Sequence, residues 1–138
     1  MSGSGTASEG RCLCGTVRYR VSGTLGPVRY CHCRMCQRAS GSAFSANASV
    51  PVERFALLAG ADSIREYEAS PGAFRCFCGR CGSPVFARLA FDPAHIRIRL
   101  GGLDRPHGVE ITAHVWTDSK SSWYEIGEAL PQYGQGFG

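Results

Sequence analysis

Lysine is almost absent from this chain: Lys120 stands alone beside 14 arginines, against 11 acids, for a formal charge of +4. The arginines are scattered from Arg11 to Arg105 and never form the basic stripe that a phosphate backbone demands. Nucleic acid is therefore excluded as the expected partner, and a weak pull on anionic small molecules remains. So large an excess of arginine over lysine fits a GC-rich bacterial genome. Long apolar runs are also lacking. The longest, FALLA at Phe55–Ala59, is far too short to span a bilayer. The opening MSGSGTASEG has neither a basic n-region nor an apolar h-region, so a soluble, cytoplasmic protein without membrane contact is expected. Sustained 3.6-residue periodicity is missing, which argues against a helical bundle. No linker divides the 138 residues, so one domain is expected.

What is present points to strands. The 18 glycines favour turns and short elements over long helices. Val17, Tyr19 and Val21 alternate with Arg18 and Arg20, and Ile96, Ile98 and Leu100 alternate with Arg97 and Arg99. Ile111, Ala113 and Val115 alternate with neighbours that include His114 and Trp116. These segments read as half-buried strands separated by glycine and proline turns. The fold expected is mainly β, a small single domain of antiparallel sheets over residues 11–133, with short helical turns at most within 51–58 and 122–130. Residues 1–10 and 134–138, small and polar, read as flexible tails.

The chemistry sits in the eight cysteines, which a cytosolic protein seldom spends on disulfides. Cys78-x-x-Cys81-Gly82 has the form of a zinc knuckle, in which a tight turn delivers two sulfurs to one ion. Cys12 and Cys14 are a suitable second pair, because residues two apart on a strand face the same way. Together they would make a closed, structural four-cysteine site. Cys31, Cys33 and Cys36 in CHCRMC remain, with no evident fourth ligand nearby in sequence. Three protein ligands and one exchangeable position is the pattern of a catalytic zinc. Cys76 leaves alternatives open: it closes this second site, competes for the structural ion, or is a buried thiol.

CLCGTVRY at 12–19, CHCRMCQRASGSAF at 31–44, FCGRCGSPVF at 77–86 and HVWTDSKSSWYEI with LPQY within 114–133 together resemble the glutathione-dependent formaldehyde-activating enzyme family, which includes centromere protein V. The resemblance implies a twisted, mostly antiparallel β fold shared with a small Rab guanine-nucleotide-release factor. It implies two zinc ions, a structural one on Cys12, Cys14, Cys78 and Cys81 and a labile catalytic one on Cys31, Cys33 and Cys36. The position of Cys76 is not a ligand in the family. The activity implied is that of a carbon–sulfur lyase on a thiol–aldehyde adduct such as S-hydroxymethylglutathione, with glutathione or a similar small thiol and an aldehyde as partners. A zinc-stabilised binding or chaperone-like module is the competing class, and closure of the second site by Cys76 would support it.

Around CHCRMC, Arg34 and Arg38 are placed to offset thiolate charge or to hold a substrate carboxylate; solvated surface arginines are the other reading. His32, between two ligands, points away from the metal in an extended backbone and makes a supporting or structural contact. Gln37 and Ser40 either shape the substrate side or cap a short helix. For His114, Trp116 and Trp123, packing in the core or in a pocket wall is expected, and His95 and His107 read as surface residues.

Overall fold

The structure, a computed structural model, describes residues 7–136. Ten strands and one short helix follow in order: β1 (Ser8–Arg11), β2 (Arg18–Val21), β3 (Leu25–Cys31), α1 (Arg34–Ser40), β4 (Ser45–Pro51), β5 (Phe55–Ala59), β6 (Ile64–Ser70), β7 (Ala73–Cys78), β8 (Pro84–Leu89), β9 (His95–Arg99) and β10 (Val109–Val115). Two sheets result. One is three-stranded, β1-β2-β5, and the other seven-stranded, β10-β3-β4-β9-β8-β7-β6. Every pairing is antiparallel except β10 with β3, which run parallel. Among the described residues no helix is long and apolar enough to cross a membrane.

The period-two segments form the strands they predict, and their apolar faces meet. Tyr19 and Val21 from the small sheet, with Val17 just before β2, pack in one buried cluster with Val28, Ala48, Val50, Ile96 and Ile98 from the large one. Truncating such a side chain, as in Ile98→Ala, costs roughly 2–5 kcal/mol through lost burial and the cavity left behind. The short 3-10 turn at Val52–Arg54 falls within the expected 51–58, whereas the one at Thr117–Ser119 lies outside both expected stretches. The stretch 122–130 holds no helix.

Both ends enter the fold earlier than their composition suggests. Ser8 is buried and its Oγ accepts the His107 N–H at 2.9 Å, while the Asp104 N–H bonds the Glu9 carbonyl at 2.9 Å. Glycine at position 10 is a packing requirement: a Cβ there would stand 2.6 Å from the Tyr19 ring and 2.7 Å from the Gly102 carbonyl oxygen. Gly134 and Gln135 accept bonds from Asp118 and Trp116 at 3.0 and 3.1 Å. The small residues read as tail are there because the chain passes close to its neighbours. Positions 1–6 and 137–138 of the expected tails lie outside the described residues.

Candidate metal centres

Cys12 and Cys14 stand in a tight turn after β1, where the Cys12 N–H bonds the Val17 carbonyl at 3.0 Å and Gly15, at φ 82°, turns the chain. This is not the extended pair that the spacing suggests. The second turn begins at the end of β7: the Gly82 N–H bonds the Cys78 carbonyl at 2.7 Å, and Gly82 sits at φ 80°. Ser83 joins the two turns, its Oγ accepting the Leu13 N–H at 2.9 Å. The Sγ atoms of Cys12, Cys14, Cys78 and Cys81 all lie within 4.8 Å of one another, with 3.6 Å between Cys12 and Cys14 and 3.9 Å between Cys14 and Cys78. Sulfurs bound at 2.3 Å to one tetrahedral ion sit about 3.8 Å apart, so the donor set fits a metal ion closely. Hydroxyls favour the ionised thiols: Ser83 draws Cys81 down to about 5, and Thr16 lowers Cys14.

The second group forms where β3 hands over to α1. Cys31 ends the strand, Cys33 is the N-cap of the helix, and Cys36 lies in its first turn. The Cys33 sulfur accepts the Cys36 N–H at 3.3 Å, the job a serine or aspartate oxygen usually does at that position. These three sulfurs again lie within 4.8 Å of one another and can hold a metal ion. The Cys31 and Cys33 thiols bond to the Cys36 sulfur, helped by Ser45 and Arg75, and hold it well below the usual thiol range; Cys31, which donates to its neighbours, is raised.

Cys76 belongs to neither group. Alternation along β7 turns it into the core, 1% exposed, where its thiol donates to Glu66 Oε2 at 3.5 Å. Burial and the Glu66 charge push it up to about 12. Its neighbour Arg75 takes the opposite face of the strand, and its Nη2 bonds the Cys36 sulfur at 3.6 Å.

The three thiols open on a cavity of about 440 Å³, lined also by Arg29, Arg75, Arg97 and Arg99. Sheet register builds this floor. Arg29 stands opposite Asn47 and Asn47 opposite Arg99; Ser49 stands opposite Arg97, Arg97 opposite Ala87, and Ala87 opposite Arg75. Arg99 donates to Asn47 Oδ1. Burial, then the charge of a neighbouring arginine, lowers both Arg29 and Arg99. Arg34 and Arg38, the arginines favoured by proximity in sequence, are exposed and do not line the cavity. Of the four that do, Arg97 and Arg99 were legible as the polar half of a period-two strand, whereas Arg29 and Arg75 stand in no segment read as one. Phe74, Leu89, Phe91 and Trp116 form an apolar rim. Trp116 thus takes the expected wall position, while Trp123 is 70% exposed and packs in no wall.

His32 indeed turns away from the sulfurs. It is fully buried, and its Nε2 lies 2.8 Å from Nδ1 of the equally buried His114, whose Nε2 lies 2.8 Å from Glu128 Oε1. With both rings neutral, His114 donates to the carboxylate and His32 donates to His114. Burial and the nearby His114 push His32 down to about 4, and the bond from His114 lowers Glu128. Gln37 ties the loop from the other side, its Nε2 donating to the His32 carbonyl at 2.7 Å and the Ser119 carbonyl at 2.8 Å. The CHC backbone is thereby clamped to β10 and the segment after it.

Comparison with known proteins places the chain in a family. The family described as glutathione-dependent formaldehyde-activating enzyme matches residues 7–119. A Halomonas elongata protein, provisionally named a glutathione-dependent formaldehyde-activating enzyme, is 33% identical over 131 residues, covering 86% of this chain and 80% of its own. The crystal structure of a Rhodobacter sphaeroides protein superposes with a TM-score of 0.59 at 23% identity, over 70% of this chain and 87% of its own, a likeness of fold.

Proposed function

The chain belongs to the glutathione-dependent formaldehyde-activating enzyme family, and from that premise we propose that it is a cytoplasmic zinc-dependent carbon–sulfur lyase for small thiol–aldehyde adducts such as S-hydroxymethylglutathione. Cys12, Cys14, Cys78 and Cys81 would hold a structural zinc, and Cys31, Cys33 and Cys36 a catalytic one. One observation carries the reading: three clustered sulfurs face a cavity of about 440 Å³, while the remaining cysteine, Cys76, is turned into the core and bonded to Glu66. Closure of the second site by Cys76 would have supported the binding-module alternative, and that thiol instead bonds Glu66.

In the lyase direction the C–S bond breaks with its electron pair going to sulfur, the adduct hydroxyl loses its proton to solvent, and the C=O bond of the aldehyde forms. Zinc supplies Lewis acidity that favours the thiolate at neutral pH. The chain's own groups do the rest. Arg75 offsets the negative charge gathered on Cys36. Arginines on the floor bind the oxyanions of the thiol's body, and the apolar rim limits the approach of water. The His32–His114–Glu128 chain and Gln37 keep Cys31 and Cys33 in register.

The test is exchange of ¹³C-formaldehyde with glutathione followed by NMR. Zinc-loaded protein should accelerate exchange between free and adducted aldehyde, and a mild chelator should remove the acceleration before the fold melts. Exchange no faster than in buffer would rule the lyase out.

A further inference from the structure

The three sulfurs of the open cluster are not alike. Cys36 takes Nη2 of Arg75 at 3.6 Å and is also hydrogen-bonded by Ser45. Ser45 reaches it because β4 sets this serine opposite Cys31, and only 6% of the serine is exposed. It is the last link of a longer chain. Arg99, itself 9% exposed, donates from Nη1 to Asn47 Oδ1, and Asn47 Nδ2 donates to Ser45 Oγ at 3.2 Å. Register keeps the links together: Asn47 stands opposite Arg99, and Ser45 and Asn47 share a face of β4.

The polarity of this chain is fixed from one end. A guanidinium has donors only, so the amide oxygen of Asn47 must face it. The amide N–H groups are thereby aimed at Ser45 Oγ, which accepts. Among the described residues, the Cys36 sulfur is the acceptor left for the serine proton. Hydrogen bonds linked with one polarity strengthen one another, the more so with a buried cation at their head. Such outer contacts tune a metal through its ligands. A thiolate that accepts two donors gives less charge to a bound ion, which stays the stronger Lewis acid.

We infer that Ser45 and Asn47 are positioning residues, a relay that carries the charge of Arg99 from the cavity floor to Cys36 and keeps that sulfur the poorest donor of the three toward a bound metal. The inference rests on the lyase reading, in which the acidity of the metal favours the thiolate. Arg99 lines the cavity, so the relay begins on the surface that a bound thiol would touch.

Cobalt(II) in place of zinc tests this apart from turnover. Its sulfur-to-metal charge-transfer band moves to lower energy when a ligating thiolate becomes richer in electrons, whereas zinc, with a filled d shell, is silent. On the full chain, the difference spectrum before and after a mild chelator reports the three-thiol cluster, and the residual spectrum reports the four-thiol one. Two variants cut the relay in different ways. Ser45→Ala removes the last donor and changes no charge. Asn47→Asp keeps an acceptor for Arg99 but offers a second one to Ser45, which turns the hydroxyl away from sulfur. Both should move the difference band to lower energy and leave the residual band in place. In the zinc-loaded protein both should slow exchange of ¹³C-formaldehyde with glutathione about tenfold. A difference band unmoved in either variant would overturn the inference, as would a residual band that moves with it, the mark of a merely structural disturbance. Shifted bands in the variants without accelerated exchange in the wild type would sink the lyase reading and leave the relay standing. Accelerated exchange in the wild type with unshifted bands would sink the relay alone.

Discussion

In the four-thiol cluster the sulfurs are surrounded by turns and hydroxyls, Thr16 beside Cys14 and Ser83 beside Cys81, and the chain closes around them from two distant points of the sequence. In the three-thiol cluster the surroundings are Arg75, Ser45 and an open cavity, and all three sulfurs come from six consecutive residues. The side chain is the same and the consequence differs. A ligand set drawn from residues 12–14 and 78–81 crosslinks the fold when a metal binds, so its binding energy is folding energy. A set drawn from one local segment crosslinks little, and its metal can change partners without loosening the rest.

The largest expected effect is therefore Cys78→Ser. It should remove most of the folding free energy, on the order of 5 kcal/mol or more, because the turns at both ends of the β1–β7 junction lose their shared anchor. Thermal unfolding in the presence of zinc reads this directly. A melting temperature within about 3 °C of wild type would erase the contrast between the clusters.

Cys33→Ser probes the other side. Serine is itself a good N-cap, so α1 keeps its start and stability should change by no more than about 1 kcal/mol. The rate of adduct exchange should fall at least 100-fold, about 3 kcal/mol of transition-state stabilisation. Unfolding of the domain on this change, or exchange within a factor of about three of wild type, would mean that the open cluster is structural after all.

Local spacing made both clusters readable before any fold was known, because two or three residues of separation already bring sulfurs to one ion. Strand membership was readable from Ile96, Ile98, Arg97 and Arg99 for the same local reason. What lies against the polar face of a strand is not local. Arg97 and Arg99 read as solvent-facing, and they are the cavity floor because β3, β4, β8 and β7 bring Arg29, Asn47, Ser49 and Arg75 beside them. Sequence proximity pointed instead to Arg34 and Arg38, which the helix turns outward. Cys76 stayed open to three readings because a one-residue alternation, invisible without the strand, decides whether it or Arg75 faces the sulfurs. The His32–His114 pair shares this character: 82 positions separate two side chains 2.8 Å apart.

Cys76→Ala sharpens that point with a smaller effect. The lost sulfur leaves a small void near Glu66, costing about 1 kcal/mol. Zinc per chain and its resistance to a chelator should match wild type. A fall in bound zinc would return Cys76 to the ligand set and close the second site.

The smallest effect concerns the floor beneath the closed cluster. Tyr19 is 1% exposed, and its hydroxyl has no hydrogen-bond partner among the described residues. Burial first, then the charges of Asp104 and Cys12, pushes the phenol up to about 12. In the unfolded chain it ionises near 10. The folded protein thus holds this proton more tightly, and the associated stability is complete below pH 10 and declines as pH rises from about 10 towards 12. Tyr19→Phe has no proton to lose. Its stability in urea at pH 8 should match wild type within about 1 kcal/mol, since no hydrogen bond is forfeited. At pH 11 the phenylalanine variant should be the more stable of the two, by about 1 kcal/mol. Because the two proteins share every cysteine, the difference between them isolates the phenol from the titration of the thiols. A gap that stays constant from pH 8 to 11 would show that Tyr19 reaches water when the fold is intact, and that the core under the four-thiol cluster is looser than its packing against Gly10 and Gly102 implies.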